Sequence, residues 1–358
     1  MSLGRAGDGG TWLPPLADAH VHLGLVDPVA VRRGGIAVVH DLGWVPDAAR
    51  TWPGRPGFPA VAFAGAFLTA PGGYPSDRSW APAGSVEEVG SPDAAVAAVD
   101  RQLAAGASFL KVALHADAGP VPDDATLAAL VGHAHARGRG VVAHVEGRGM
   151  AARAFEAGVD RLAHAPFSER LPDDLLAAMA GPRPADHAPT PGRARDHRRN
   201  TVENGPDPVF GGVGRLGPVG PVGPVGRVSW VSTLDVHGWG SPTAEQDVAI
   251  DNVRRFVALG GTVVYGTDLG NGPLPPGVNA RELRALAEAG LDPHALLGAI
   301  AHDGAAPDPD GAATWVRGDP PDLDDPDDVA AWFARAVVVA RPEPHGAPRA
   351  PRTPEDRR

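Results

Sequence analysis

Short runs of β-branched and other apolar residues alternate along the chain with segments of helical periodicity. Eight apolar runs bounded by turn residues predict β-strands: 16–22, 36–42, 60–67, 108–114, 140–145, 159–164, 228–235 and 261–267. Apolar residues at spacings of three and four predict helices between them: 92–105, 124–137, 148–157, 171–180, 244–259, 280–289 and 292–301. Because strands that alternate with helices pair in parallel, the chain is predicted to be an α/β protein, a (β/α)8 barrel of the TIM type.

One long segment, residues 181–227, interrupts this alternation. It is rich in Pro and Gly, carries three Gly-Pro-Val triplets and shows no apolar face. Three triplets are too few for a collagen helix, so we expect a disordered insertion within a barrel that spans 16–342. Residues 1–15 are expected to be an N-terminal extension, 335–341 an extra strand outside the barrel, and 343–358 a disordered tail.

The net charge of −11 and the absence of cysteine exclude several classes of function. An acidic protein is poorly suited to bind nucleic acid or an anionic membrane. Without cysteine there are no disulfides, no thiolate metal ligands and no cysteine nucleophile. No apolar run approaches the roughly 18 residues of a membrane span, and the first residues lack the apolar segment of a signal peptide. We therefore expect a cytoplasmic protein that acts on a small-molecule substrate; the sequence does not indicate its oligomeric state.

Lysine is almost missing from the chain. Of the 32 basic residues, 31 are arginine, and Lys111 is the only lysine. Such a composition uses arginine wherever a positive charge suffices, so a single lysine indicates a position where a guanidinium cannot replace a primary amine. The competing interpretation is that one lysine survived by chance.

Two histidines, His20 and His22, end the first predicted strand. Residues two apart on a strand face the same side. Two convergent imidazoles can supply two of the ligands of a zinc-like ion. The pair His133 and His135 has the same spacing but lies within a predicted helix. There the spacing directs the side chains to different faces, so we assign that pair to the solvated surface.

Other ligand-type residues stand where later strands are predicted to end. Lys111, His144 and His164 lie near the ends of the fourth, fifth and sixth strands, and Asp268 follows the eighth. In a parallel barrel these positions share the C-terminal rim, where active sites form. A single histidine there is ordinarily a core residue, and a single aspartate a helix cap. Together with the histidine pair they predict a metal-centred site.

Several motifs in order resemble the amidohydrolase superfamily, specifically its imidazolonepropionase-like and prolidase-like branch. The motifs are LADAHVHLG, GGIAVVHDLG, AGASFLKVAL, VVAHVEG, RLAHAP and VVYGTDLGNG, within residues 16–300. The resemblance implies a (β/α)8 barrel. Because only about 15 residues precede the first strand, the small β-sandwich that flanks many such barrels is expected to be reduced or absent.

The resemblance also implies a set of metal ligands and a divalent cofactor. His20 and His22 would bind one ion with Asp268. Lys111, carbamylated by carbon dioxide, would bridge to a second ion held by His144 and His164. Zinc is the expected metal, with two ions if Lys111 is carbamylated and one if it is not. Carbamylation needs a primary amine, which arginine lacks, and this would account for the single lysine.

The implied activity is a metal-dependent hydrolase that cleaves a C–N bond of an amide or cyclic amide outside ordinary proteins, with dipeptides among the possible substrates. A metal-bound hydroxide attacks the carbonyl, and Asp268 moves the proton to the leaving nitrogen. His237, after the seventh strand, is a candidate substrate contact, and His115 and Glu146 are expected to support the ligands.

Two alternatives stay open. The first is a deaminase or imidazolone-type ring-opening enzyme with one ion on His20, His22, His144 and Asp268. The second is a barrel that binds a ligand without turnover.

Overall fold

The computed structural model describes residues 4–6, 9–181, 228–301, 312–321 and 325–340. Within these ranges the strands are β1 Gly4–Ala6, β2 Gly10–Leu13, β3 Leu16–Val21, β4 Ile36–Asp41, β5 Ala60–Phe63, β6 Phe67–Thr69, β7 Val86–Glu88, β8 Leu110–His115, β9 Val141–Glu146, β10 Arg161–Leu162, β11 Ser229–Val231, β12 Thr262–Val264, β13 Ala312–Arg317 and β14 Val337–Ala340. The helices are α1 Pro28–Arg33, α2 Pro46–Ala49, α3 Pro92–Ala104, α4 Asp124–Ala136, α5 Met150–Glu156, α6 Asp173–Ala180, α7 Ala244–Ala258, α8 Ala280–Glu288, α9 Pro293–Ile300 and α10 Pro326–Phe333.

The strands form two parallel sheets and one antiparallel sheet. The larger parallel sheet has seven strands in the order β12-β11-β10-β9-β8-β6-β7, and the smaller has three in the order β3-β4-β5. Backbone hydrogen bonds connect these two sheets at both sides. The Ala19 N–H donates to Tyr265 O at 3.0 Å, and the Ser108 N–H donates to Phe63 O at 2.8 Å. The fold is therefore mixed α/β, with its strands predominantly parallel.

The eight predicted strands are all present in the described part of the chain, and one of them is divided. The third prediction, 60–67, corresponds to β5 and β6, which are separated at Gly65, where φ is +79°. The seven predicted helices correspond to α3 to α9, with ends that differ by one or two residues. The short helices α1 and α2 were not predicted, nor were α10, β1, β2, β7 and β13.

The antiparallel sheet combines segments from distant parts of the chain. Its strand order is β1-β2-β13-β14, so the expected N-terminal extension and the strand expected at 335–341 belong to one sheet. In the described part of the chain, this four-stranded sheet is the counterpart of the β-sandwich that was expected to be reduced or absent. The expected insertion after residue 181 and the expected tail at 343–358 lie outside the described residues.

Most of the parallel strands are buried along nearly their whole length because both faces are covered. β4 reads IAVVHD, and all six residues are buried. This is the pattern of a strand between helices and a core rather than of a strand with one face in water. Within such strands a polar residue stands out, as Lys111 does in β8 and His144 does in β9.

The helices begin at residues that satisfy their first N–H groups. Ser91 accepts a hydrogen bond from the Ala94 N–H before Pro92 begins α3, and Asp292 accepts one from the Ala295 N–H at the start of α9. Both are strong N-cap types, and proline is favoured in the first turn. None of the helices in the described ranges is both long and apolar enough to cross a membrane.

Candidate active site

The carboxyl ends of the parallel strands surround a cavity of about 210 Å³. All seven of the site residues predicted from the sequence line it. The lining residues are His20, His22, Phe67, Tyr74, Lys111, His144, Glu146, His164, Phe167, Val236, His237, Asp268 and Asn271. The structure therefore brings together residues from six separate segments, as parallel strands that end at a common edge should.

His20, His22 and Asp268 converge on one another. Asp268 Oδ1 lies 3.0 Å from His20 Nε2 and 3.2 Å from His22 Nε2. The opposite nitrogen of each ring, Nδ1, lies next to a backbone carbonyl, at 2.8 Å from Ala163 O and 3.2 Å from Gly43 O respectively. A carbonyl can only accept, so each ring donates from Nδ1; a ring without a second proton then directs the lone pair of Nε2 at the carboxylate.

Without a second proton on the rings, this arrangement brings three electron pairs together. Neither His20 Nε2 nor Asp268 Oδ1 makes an aligned hydrogen bond, although both are buried. Burial lowers the pKa of His20 to about 4, so a proton on Nε2 does not resolve the contact at neutral pH. Asp268 Oδ2 already accepts from Asn271 Nδ2 at 2.9 Å. A cation among the three atoms would satisfy all of them, and the donor set fits a divalent ion.

His144 and His164 form a second convergent pair. His144 Nδ1 lies 3.1 Å from His164 Nε2. His144 Nε2 lies 3.3 Å from Glu146 Oε2, and His164 Nδ1 lies 2.9 Å from Thr233 Oγ1. The Glu146 carboxylate lies beside Nε2 of His144, which leaves Nδ1 as the acceptor when that ring is neutral. A hydroxyl both donates and accepts, so Thr233 is compatible with two tautomers of His164. In one, His164 Nε2 donates to His144 Nδ1; in the other, two lone pairs face each other and fit a cation.

Lys111 lies at the bottom of the cavity on β8, and only 1% of it is exposed. Burial lowers the pKa of its amine to about 7. Among the described residues no carboxylate lies within ion-pair distance of this amine. A large fraction of Lys111 is therefore neutral near pH 7, which is the form of an amine that attacks carbon dioxide.

Asp18 is a buried residue of the site that the sequence analysis did not single out. Its carboxylate accepts from the Thr267 N–H at 3.0 Å, the Thr267 hydroxyl at 2.6 Å and the His20 N–H at 3.0 Å. These bonds connect the strand that carries His20 to the residue before Asp268. Asp268 itself has φ of +58°, which is uncommon for a residue with a side chain. Asp18 therefore positions both His20 and the segment that carries Asp268.

Asp41 has a similar role one strand away. It accepts from the Leu23 N–H at 2.7 Å and the Gly43 N–H at 3.2 Å. Gly43 O is in turn the neighbour of His22 Nδ1. Burial raises the pKa of Asp41, and the two N–H donors oppose that rise. The residue fixes the turn that orients the His22 ring.

His237 lies on a 3-10 turn after β11 at the edge of the cavity. Its ring centroid is 4.2 Å from that of Phe167, and its Nε2 is buried without a hydrogen bond. Burial lowers its pKa to about 4. A neutral imidazole with an unpartnered nitrogen facing a cavity is suited to contact a substrate, which stays a prediction for His237.

Glu282 on α8 holds this turn and was also not singled out from the sequence. Its Oε1 accepts from the Leu234 N–H at 2.9 Å, and its Oε2 accepts from the Asp235 N–H at 2.7 Å. Both donors lie directly after β11, and the Glu282 side chain is fully buried. The position of His237 therefore depends on a carboxylate of a neighbouring helix.

We expect Glu282→Gln to lower the free energy of unfolding by about 1–3 kcal/mol, because the amide NH2 cannot accept from the second backbone N–H. Urea denaturation measures this change.

Burial raises the pKa of Glu282 from 4.5 to about 7. A raised folded-state pKa contributes stability that is complete below pH 4.5 and is lost as the pH rises to about 7. The difference between wild type and variant should therefore shrink over that range; a constant difference would contradict the assignment.

His133 and His135 lie on α4 and contact different partners, as the helical spacing predicted. His133 Nε2 lies 3.0 Å from Asp100 Oδ1, and His135 Nε2 lies 2.8 Å from Asp160 Oδ2. Both rings are half-buried rather than fully solvated. The surface assignment was therefore only partly correct, because each ring packs against a neighbouring segment through its carboxylate.

Comparison with known proteins gives relatives across most of the chain. No protein-family model matches it. An uncharacterised protein of Mycobacterium bovis is 27% identical over 319 residues, which cover 83% of this chain and 74% of the relative.

Solved structures of similar fold cover nearly the whole chain. The match to A. niger ochratoxinase has a TM-score of 0.62 at 17% identity. It covers 92% of this chain and 82% of the ochratoxinase chain. The match to a Xaa-Pro dipeptidase with bound methionine has a TM-score of 0.60 at 17% identity. It covers 92% of this chain and 88% of the dipeptidase chain. The match to an amidohydrolase has a TM-score of 0.58 at 18% identity. It covers 89% of this chain and 84% of the amidohydrolase chain. The chain therefore has the fold of the amidohydrolase superfamily, as its ordered sequence motifs indicated.

Proposed function

We propose that this protein is a metal-dependent hydrolase that cleaves the C–N bond of an amide or cyclic amide. The observation that carries the proposal is the convergence of His20 Nε2 and His22 Nε2 on Asp268 Oδ1, at 3.0 and 3.2 Å, while Nδ1 of each ring faces a backbone carbonyl. Buried polar atoms are ordinarily paired. An arrangement that a bound cation satisfies, in an open cavity, is suited to a catalytic metal rather than to a structural one.

Each ligand-type residue has a role in this proposal. His20, His22 and Asp268 would hold one ion, and His144, His164 and carbamylated Lys111 would hold a second. Bound divalent ions supply activated water and polarise a carbonyl. Asp268 accepts the proton of the attacking water on its carboxylate and delivers it to the leaving nitrogen. Zinc is the proposed metal because imidazole dominates the donor set.

We further propose that the strands close into a (β/α)8 barrel. The Ala19–Tyr265 and Ser108–Phe63 hydrogen bonds support closure, because they link the three-stranded sheet to the seven-stranded sheet at both sides. A parallel bridge between Val21 and Leu269 adds to the first of these connections. Closure places the ligands on one rim.

The similar structures support the reaction class. Their names comprise an amidohydrolase, a dipeptidase and phenylurea hydrolase B. Elemental analysis of the purified protein tests the proposal without knowledge of the substrate. About two ions per chain, together with turnover of a panel of dipeptides, lactams and hydantoins, are expected. One ion per chain would favour the mononuclear deaminase or ring-opening enzyme, and full metal content without turnover would favour a ligand-binding barrel.

The variant His20→Ala/His22→Ala should lose at least one ion and all measurable hydrolysis. The fold should persist, because an open catalytic site on a packed core contributes less to folding than a structural zinc site does. Metal analysis and circular dichroism measure the two effects separately. His133→Ala/His135→Ala is the matched control, because it removes two histidines of the same sequence spacing that lie on α4. Undiminished metal content in the first variant would exclude this pair from the site.

A further inference from the structure

Large apolar side chains are exposed at three positions in the described part of the chain. Leu25 is 39% exposed, Trp239 is 46% exposed and Leu259 is 47% exposed. Leu259 follows α7 and precedes β12, so it lies at the amino ends of the strands, opposite the cavity. Leu25 follows β3 and Trp239 follows β11, at the carboxyl ends that surround the cavity. Single exposed apolar residues are ordinary on protein surfaces, but these two border the same turn.

The turn 270–272 contacts both side chains because glycines stand at its first and last positions. A Cβ on Gly270 would lie 3.3 Å from Leu25 Cβ. A Cβ on Gly272 would lie only 2.5 Å from Nε1 of the Trp239 indole, so the ring rests directly on the glycine backbone. Asn271, between the two glycines, lines the cavity. Leu25 and Trp239 therefore lie on one stretch of the mouth of the cavity.

The backbone at Trp239 has a conformation that disfavours a side chain. Its φ is +49°, in the left-handed region that favours glycine. The Trp239 N–H donates to Asp235 O at 2.7 Å, and the Asp235 carboxylate accepts from Arg281 Nε at 2.9 Å and Asn279 Nδ2 at 2.8 Å. Nearly half of the tryptophan remains exposed, so burial alone does not explain this residue here. Strained positions of this kind cluster at ligand-binding sites.

The cavity alone is small for a substrate. Its volume is about 210 Å³, whereas small-molecule sites usually measure about 300–1,000 Å³. The proposed function places the reacting bond at the ligand-type residues inside the cavity, so the rest of the substrate extends through the mouth. There it meets the indole and the leucine side chain. Such surfaces favour an apolar group, and an indole favours an aromatic ring in particular.

We propose that Trp239 and Leu25 form an apolar binding site at the mouth of the cavity, and that the substrate carries an aromatic or other large apolar group that lies on them. This inference rests on the proposed function and names its substrate class. Both residues are binding residues that determine specificity, and neither takes part in the cleavage itself.

Uncharged amides that extend one parent compound test the preference. N-Methylacetamide is the parent, 3-phenyl-N-methylpropanamide extends its acyl side, and N-(3-phenylpropyl)acetamide extends its amine side. Mass spectrometry of the released acid and amine measures the rates. On the side that the site binds, we expect kcat/KM for the phenyl compound to exceed that for the parent by at least about tenfold. Equal rates on both sides, or a preference for the parent, would overturn the inference.

Three alanine variants locate the preference. Trp239→Ala should lower the ratio of phenyl to parent kcat/KM by at least about fivefold with unchanged metal content, and Leu25→Ala should lower it by about twofold. Leu259→Ala removes an equally exposed apolar side chain at the opposite ends of the strands, and it should leave the ratio unchanged. If Trp239→Ala keeps the ratio, or slows all compounds equally, the preference arises elsewhere and the inference is wrong.

Two further variants keep the test valid if Trp239→Ala does not fold. Asparagine tolerates a positive φ, so Trp239→Asn should fold at least as well as the wild type while it replaces the indole with a polar group. It should lower the ratio as the alanine variant does. Trp239→Phe keeps an aromatic ring and should retain most of the preference. A ratio that is unchanged in Trp239→Asn would contradict the proposed site.

Binding without turnover distinguishes the two proposals from each other. 3-Phenylpropan-1-ol and propan-1-ol cannot be hydrolysed, and ligand-observed NMR compares their binding to the metal-loaded protein. We expect the aromatic alcohol to bind at least about tenfold more tightly, and Trp239→Ala to remove most of the difference. If it binds in this way but no amide is cleaved, the proposed function fails and the apolar site stands. If amides are cleaved and Trp239→Ala changes neither binding nor the rate ratio, the apolar site fails and the function stands.

Discussion

Lys111→Arg should abolish hydrolysis, with a loss in kcat/KM of at least about 10³-fold. The substitution keeps a positive charge and roughly the length of the side chain. A guanidinium, however, has no primary amine for carbon dioxide and would repel cations held by the neighbouring histidines. Activity and metal content of the purified variant measure the effect. Near wild-type activity would support the chance survival of one lysine.

Two further variants at this position show what the lysine supplies. Lys111→Ala should also be inactive, but it leaves space in which acetate or propionate can take the place of the carbamate and restore part of the activity. Lys111→Met fills the same space with an apolar chain and is the matched control that small carboxylates should not rescue. Metal-free wild type given zinc should regain activity faster with bicarbonate. Activity independent of bicarbonate, with no rescue of the alanine variant, would contradict a carbamate.

Asp268→Asn should lower kcat/KM by about 10²–10⁴-fold, the usual contribution of a positioned acid–base group. The loss should depend on the leaving group if Asp268 delivers a proton to the nitrogen. Alkyl amides, whose amines leave poorly without a proton, should lose more activity than the corresponding p-nitroanilides. Kinetics with both substrate classes and metal analysis of the variant measure this.

The dependence on the leaving group separates two roles of the same carboxylate. If Asp268 is only a metal ligand, its replacement should reduce the cleavage of alkyl amides and p-nitroanilides equally, in proportion to the metal lost. Asp247→Asn, at a carboxylate on α7 that does not line the cavity, is the control and should leave both activities unchanged.

Most of the predicted site residues stand at or just after the ends of strands. His20 and His144 lie near the ends of β3 and β9, His164 follows β10, and Asp268 comes four residues after β12. Lys111 was expected near the end of its strand but is the second residue of β8. Parallel strands that end at a common edge must bring such residues together, so the strand pattern was sufficient to expect the cavity. The ordered motifs then indicated the superfamily fold.

The residues that orient the ligands could not be found in the same way. Asp18 bonds to Thr267, which is 249 positions away in sequence, and Glu282 bonds to backbone groups 47 and 48 positions away. A buried carboxylate that accepts from backbone N–H groups belongs to no periodic pattern. The same is true of β2 and β13, whose pairing depends on contacts between remote segments.

The antiparallel sheet joins an early part of the chain to a late one, with a hydrogen bond from Thr11 to Gly318 that spans 307 positions. During synthesis on the ribosome, β2 emerges long before β13 exists. Its backbone groups on that edge stay exposed to water while residues 14–311 are translated. An unpaired strand edge is a template for association with other chains. Full-length protein is therefore expected to hide an edge that nascent chains expose, and this stage of synthesis is where a molecular chaperone would be of most use.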